Sequence, residues 1–161
     1  MSQWPEVAVE DGIVLPPELA ADPQGFARAV LEAVFAIEGR RLAISIYFCG
    51  DSEIARLHLA YLGDPDVTDV ISFALRDESD EDGGFDFADG EVVVDVEHAR
   101  RQAHEHGNEW HAECALYIAH GTLHLFGYDD HESEDAAAMK RAEQRVLDAL
   151  GYRIAQRFDD A

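Results

Sequence analysis

Residues 120–132, HGTLHLFGYDDHE, gather three histidines, two glycines and a cluster of acids into thirteen positions. His120 and His124 stand four apart, and a 3.6-residue helical turn places such a pair on one face with Cβ atoms about 5–6 Å apart. Two imidazole nitrogens can then address one ion. Gly127 is expected to end the helix, and the turn Tyr128-Asp129-Asp130 to carry His131 back over the same point. Three neutral imidazoles leave a tetrahedral zinc ion one open position, the pattern of a catalytic rather than a structural site. The open position would take a water molecule, whose pKa zinc lowers to about 7. A helical i,i+4 histidine pair also arises by chance; the glycine break and the third histidine make this one a site. A zinc peptidase would read HExxH, with the Glu as general base, whereas this chain has Gly121 there. That removes the base, and Gly121 is expected to leave the metal wall open for a bulky substrate. Asp130, or Asp129, is the weak candidate for accepting a proton.

The helix carrying the pair should run from Asn108 as cap to Phe126, with Ala112, Ala115, Leu116, Ala119 and Leu123 as its apolar stripe. Around it the pattern predicts an edge strand in PEVAVEDG, a core helix over 23–38, a strand over 41–48, and a helix capped by Asp51 or Ser52 and ended by Gly63. Strands follow at 68–75 and 91–96, then a short helix at 97–106 and a last one from Ser133 to Gly151. Between the last two strands, the carboxylate-rich segment 77–89 lacks the ligand rhythm of an EF-hand and reads as an acidic flexible loop. The interleaving predicts an α+β fold, a small mixed sheet of about four strands with helices packed on it, in one domain spanning 1–161.

Composition narrows the function classes. With 47% hydrophobic and 29% charged residues and no apolar run near the ~20 residues of a membrane span, a soluble globular protein is expected. The start has no basic leader and no apolar stretch, so a cytoplasmic location is expected. Cys49 and Cys114 are too few for a disulfide framework and are expected to be buried thiols. Asp and Glu total 34 against 12 Lys and Arg, a formal net charge of −22, with Lys140 the only lysine. Molar salt shortens the Debye length to about 3 Å and removes most of that repulsion. A salt-rich cytoplasm and a merely acidic solvated surface both fit. His104, His106 and His111 read as exposed helix-face residues without a role, and His58 and His98 have no evident partner.

HGTLHLFGYDDH resembles the HGxLHLxGYDH signature of the YbeY endoribonucleases, the ribosomal RNA maturation RNases of bacteria. LHLAYLGDPDVTDVISF at 57–73 is similar to that family's LNxxYRxxDxPTDVLSF, and GEVVVDVEHARRQA at 90–103 to its GDIxIxxxxxxxQA. The resemblance covers about residues 40–150. It implies an α+β fold, one zinc ion on the signature histidines, and cleavage of single-stranded RNA in 16S rRNA processing and ribosome quality control. Three departures stand out. His131 lies eleven residues after His120 where the family has ten, so that Asp130 occupies the usual ligand index and stays an alternative third ligand to His131. Leu62 replaces an Arg often found after the Tyr, leaving Arg56 or Arg76 as the nearest substitutes. Val67 replaces a Pro.

The leading expectation is thus a zinc-dependent endoribonuclease with His120, His124 and His131 as ligands, acting on single-stranded or ribosomal RNA, alone or with ribosomal partners. A non-catalytic ribosome-assembly factor with a structural metal is the alternative, and a zinc peptidase the weaker third.

Overall fold

The computed structural model describes residues 4–63, 68–75, 88–129 and 132–154. Four strands, β1 (Glu6–Val9), β2 (Ile44–Cys49), β3 (Val70–Ala74) and β4 (Gly90–Asp95), form one sheet in the order β1-β2-β4-β3. β1 and β4 run parallel to β2, while β3 is antiparallel to β4, so the sheet is mixed as expected. The helices are α1 (Pro17–Ala20), α2 (Pro23–Glu38), α3 (Asp51–Leu62), α4 (Val96–His106), α5 (Trp110–Leu125) and α6 (Ser133–Leu150). Among the described residues, no helix is long and apolar enough to cross a membrane.

Alternation along the strands sorts the core onto two faces. Ile44, Ile46, Phe48, Val92 and Val94 point to the side covered by α2, α5 and α6. Cys49, Ile71 and Val93 point to the side covered by α3 through Ile54. β4 is buried on both faces, which explains its unbroken Val92-Val93-Val94 run. α5 is the central helix: Ala112 through Ala119 are all buried, and it packs against α2, α4, α6, β3 and β4. Cys114 and Cys49 are both buried and free.

Several boundaries differ from the sequence reading. β2 begins at Ile44 rather than 41, because Ala43 bonds instead to Asp89: its N–H donates to Oδ2 at 2.7 Å and its carbonyl accepts from the Asp89 N–H at 2.7 Å. Of the acidic segment 77–89, only 88 and 89 fall within the described residues. α1 escaped the pattern since it is four residues long; Pro17 sits in its first turn, where a missing N–H costs nothing. Asn108 does not cap α5. Its Nδ2 donates to the buried Glu113 at 3.0 Å, and Glu109 takes the cap position without a side-chain bond. α3 starts on Asp51 itself, after Gly50, and Glu97 Oε1 receives the Asp51 N–H at 2.8 Å.

Candidate metal centre

His120 and His124 lie in the last turns of α5, where burial of the opposite face leaves them half-buried at the helix surface. Their rings meet edge to face, with centroids 4.7 Å apart. His124 Nδ1 is 3.0 Å from the Tyr128 carbonyl oxygen, and His120 Nδ1 is 2.5 Å from Glu143 Oε2 on α6. A carbonyl oxygen only accepts, and so does an ionised carboxylate, so in the neutral rings both protons sit on Nδ1. The two Nε2 lone pairs then face each other at 3.2 Å. Two acceptors at that distance repel unless a cation stands between them. With Zn–N bonds of about 2.0–2.1 Å, tetrahedral neighbours are separated by about 3.3–3.4 Å, so the pair is already spaced as two ligands of one ion.

Local sequence builds half of this arrangement. Gly127 adopts φ +104°, a left-handed conformation that a glycine takes at no steric cost. It lets the Gly127 N–H donate to His124 O at 3.0 Å and the Tyr128 N–H to Leu123 O at 3.1 Å, closing α5 in a Schellman turn. The Tyr128 carbonyl is thereby brought to His124. The Tyr128 phenol, bonded to Glu38 at the end of α2, is pushed above its ordinary pKa by that bond and by burial. Glu143 comes from a distant helix and was missed in the sequence. Its signal is an acid within the apolar stripe Met139, Ala142, Val146 and Leu147 of α6. Asp130 and His131 lie outside the described residues.

Gly121 has a different job from the expected open wall. It is buried against the sheet: a Cβ there would stand 2.6 Å from Val92 Cγ1, 2.9 Å from Ser72 Oγ and 3.1 Å from Val70 Cγ2. Ser72 Oγ also donates to the Gly121 carbonyl at 2.7 Å. The glycine permits α5 to approach β3 and β4 closely, and a glutamate of the HExxH kind has no room.

The remaining histidines and cations can be placed. His98 has a partner after all, its Nδ1 being 3.0 Å from the Tyr117 hydroxyl. His104 is exposed, but His106 and His111 are half-buried: His106 contacts Gln102, and His111 lies 3.2 Å from Glu18 and edge-on to Tyr152. Leu62 is 54% exposed at the end of α3. Arg56 is held by Glu53 at 2.6 Å, and Arg76 lies outside the described residues.

A second group of ligand-type residues was not visible in the sequence. At the carboxyl end of β4, Asp95 caps α4, its Oδ1 accepting from the backbone of Glu97 at 3.0 Å and His98 at 3.1 Å. Asp95 pairs in register with Cys49, so the residues that follow each strand meet. One oxygen each of Asp51, Asp95 and Glu97 lies within 4.8 Å of the others, a cluster able to coordinate a divalent metal. Arg101 grips both oxygens of Asp51, at 2.7 and 3.0 Å, and holds that carboxyl below its usual range. Burial, and then the Asp51 carboxylate, push Asp95 up.

Comparisons with known proteins agree with this architecture. A curated protein named Endoribonuclease YbeY from Desulfitobacterium hafniense (strain Y51) is 38% identical over 132 residues, 80% of this chain and 82% of that one. Another of that name, from Moorella thermoacetica, is 35% identical over 131 residues, covering 77% and 84%. The solution structure of a Thermotoga maritima protein shares the fold, with a TM-score of 0.57 at 22% identity over 91% of both chains. The family model for Endoribonuclease YbeY matches residues 19–151, and the chain belongs to that family.

Proposed function

We propose that the chain is a zinc-dependent endoribonuclease that cuts single-stranded RNA in ribosomal RNA maturation, in 16S processing and ribosome quality control, in the cytoplasm. The observation that carries this reading is the 3.2 Å separation of the His120 and His124 Nε2 atoms in a member of the YbeY family. His120, His124 and His131 would hold the ion. When bound, zinc supplies a Lewis acid for a phosphodiester oxygen and can activate water. The protein's own groups prepare the site. Glu143 keeps the His120 proton on Nδ1, the Tyr128 carbonyl does the same for His124, and the buried body of α5 fixes both rings. Asp130 is the candidate for moving a proton.

The net charge of −22 opposes a polyanionic substrate in dilute salt. High ionic strength or a ribosomal partner that positions the RNA offsets it. The same charge, with Leu62 exposed where a phosphate-binding Arg is often found, favours the second reading, an assembly factor whose metal is structural.

Metal analysis of the purified protein and of His124→Ala, combined with cleavage of single-stranded RNA from low to molar KCl, tests the proposal. Zinc in the wild type, its loss in the variant, and cutting only by the loaded wild type are expected. A wild type free of transition metal refutes the reading. Zinc-loaded protein that binds ribosome precursors and leaves RNA intact establishes the assembly factor. A 2′,3′-cyclic phosphate product end would identify the RNA's own hydroxyl as nucleophile.

A further inference from the structure

We infer that the cavity beside α2, between Trp4 and Arg41, holds one base of a single-stranded RNA whose strand runs past Arg40 and Phe126 to the histidine pair, an inference that rests on the RNA-cutting function proposed above.

The cavity has a volume of about 150 Å3, and Trp4, Arg28, Glu32, Phe35 and Arg41 are among its lining residues. A void of about 150 Å3 accepts a benzene ring, so one planar base can enter it and a duplex cannot. The lining offers what a splayed-out base needs: an aromatic ring and a guanidinium plane for stacking, with both donors and an acceptor for the base edge. Trp4 is half-buried, and the segment that carries it is tied to α2 by Gln24, whose Nε2 donates to the Pro5 carbonyl at 3.1 Å. Phe35, buried, carries the Arg41 guanidinium over its ring, 5.2 Å from the centroid. Arg41 also bonds both carboxylate oxygens of Glu32, so its flat group is held in place.

Charge gives the cavity a direction. In a chain of net charge −22, the cations left without a carboxylate are the ones able to take a phosphate. Arg41, Arg56 and Arg101 are occupied by Glu32, Glu53 and Asp51. Arg28 lines the cavity, and Arg40 lies over the Phe126 ring, 5.1 Å from its centroid. Both are exposed, and among the described residues neither forms an ion pair. Phe126 in turn is edge-on to Phe35, with centroids 6.0 Å apart, and stands two residues beyond His124. Aromatic rings and guanidinium groups thus form a continuous line from the cavity to the candidate metal centre. Proteins that hold single strands alternate stacking surfaces and phosphate-binding cations in this way. The acidic remainder of the surface repels the same strand and confines it to that line.

The test uses the zinc-loaded full chain and a fluorescein-labelled single-stranded 2′-O-methyl RNA, with anisotropy read along a KCl series. Trp4→Ala should weaken binding at least about fivefold, the lower bound for loss of one stacked base, and Trp4→Phe should keep most of the affinity. Arg28→Gln and Arg40→Gln should each weaken binding and flatten the log–log salt dependence by about 0.7, the loss of one phosphate contact. An RNA of the same length with abasic positions should bind the wild type weakly and no longer distinguish it from Trp4→Ala. A wild type that binds no single strand or is indifferent to abasic positions, or a Trp4→Ala variant that binds as tightly as the wild type, overturns the site. Zinc content and cutting of unmodified RNA report separately on the proposed function. Cutting by the wild type with binding unchanged in the variants refutes the cavity alone, whereas variant-sensitive binding without cutting refutes the nuclease reading and supports the cavity. Should Trp4→Ala fail to fold, Arg28→Gln and the abasic RNA decide.

Discussion

Replacing Glu143 separates what its charge does from what its position does. Its Oε2 lies 2.5 Å from His120 Nδ1, and its side chain is only 14% exposed, so solvent screens the contact little. Partners behind a metal-ligating histidine are typically worth 10–100-fold in metal affinity, about 1.4–2.8 kcal/mol. The low exposure of the carboxylate puts Glu143→Ala at the upper end, a loss of about a hundredfold in zinc affinity. Glu143→Gln keeps an acceptor in place but loses the charge, and a neutral hydrogen bond has roughly half the strength of a charge-assisted one. That variant should lose about tenfold. Competition against a chelating dye at fixed pH measures both, and the unfolding midpoint of the metal-free proteins controls for misfolding. Equal zinc affinity in all three proteins would refute the role of Glu143 in setting the His120 tautomer.

Two further outcomes can be checked by equilibrium unfolding. Gly121→Ala should destabilise the fold by about 1–3 kcal/mol, since its Cβ would stand 2.6 Å from Val92 Cγ1 and α5 would have to move off the sheet. An unchanged midpoint would refute the close approach. Glu91 has its pKa raised by burial, so the folded state favours the protonated form. That contribution to stability is present below the unfolded value of about 4.3 and is lost as pH rises through the folded value. Glu91→Gln should therefore be more stable than the wild type near neutral pH, with the gap narrowing as pH falls. A gap that widens on acidification contradicts the sign.

Some of this could be seen in the chain and some could not, for physical reasons. β4 and α5 were legible because an unbroken valine run and a long apolar stripe each record burial directly. The His120–His124 spacing is likewise a local property, fixed by the helix repeat. Gly121 misled because the need for a missing side chain is set by the sheet facing it, Val70, Ser72 and Val92, not by its neighbours in sequence. Glu143 stayed hidden because an acid in α6 acquires meaning only when that helix docks on α5. The Asp51–Asp95 contact depends on strand register between β2 and β4, which single-sequence periodicity does not give.

The Schellman turn at Gly127 decides what His124 depends on. The carbonyl that steers His124 belongs to Tyr128, upstream of the doubled Asp129-Asp130. The aim of the helix-borne pair is therefore set by residues up to Tyr128. Changes in sequence beyond Tyr128 leave that steering contact in place.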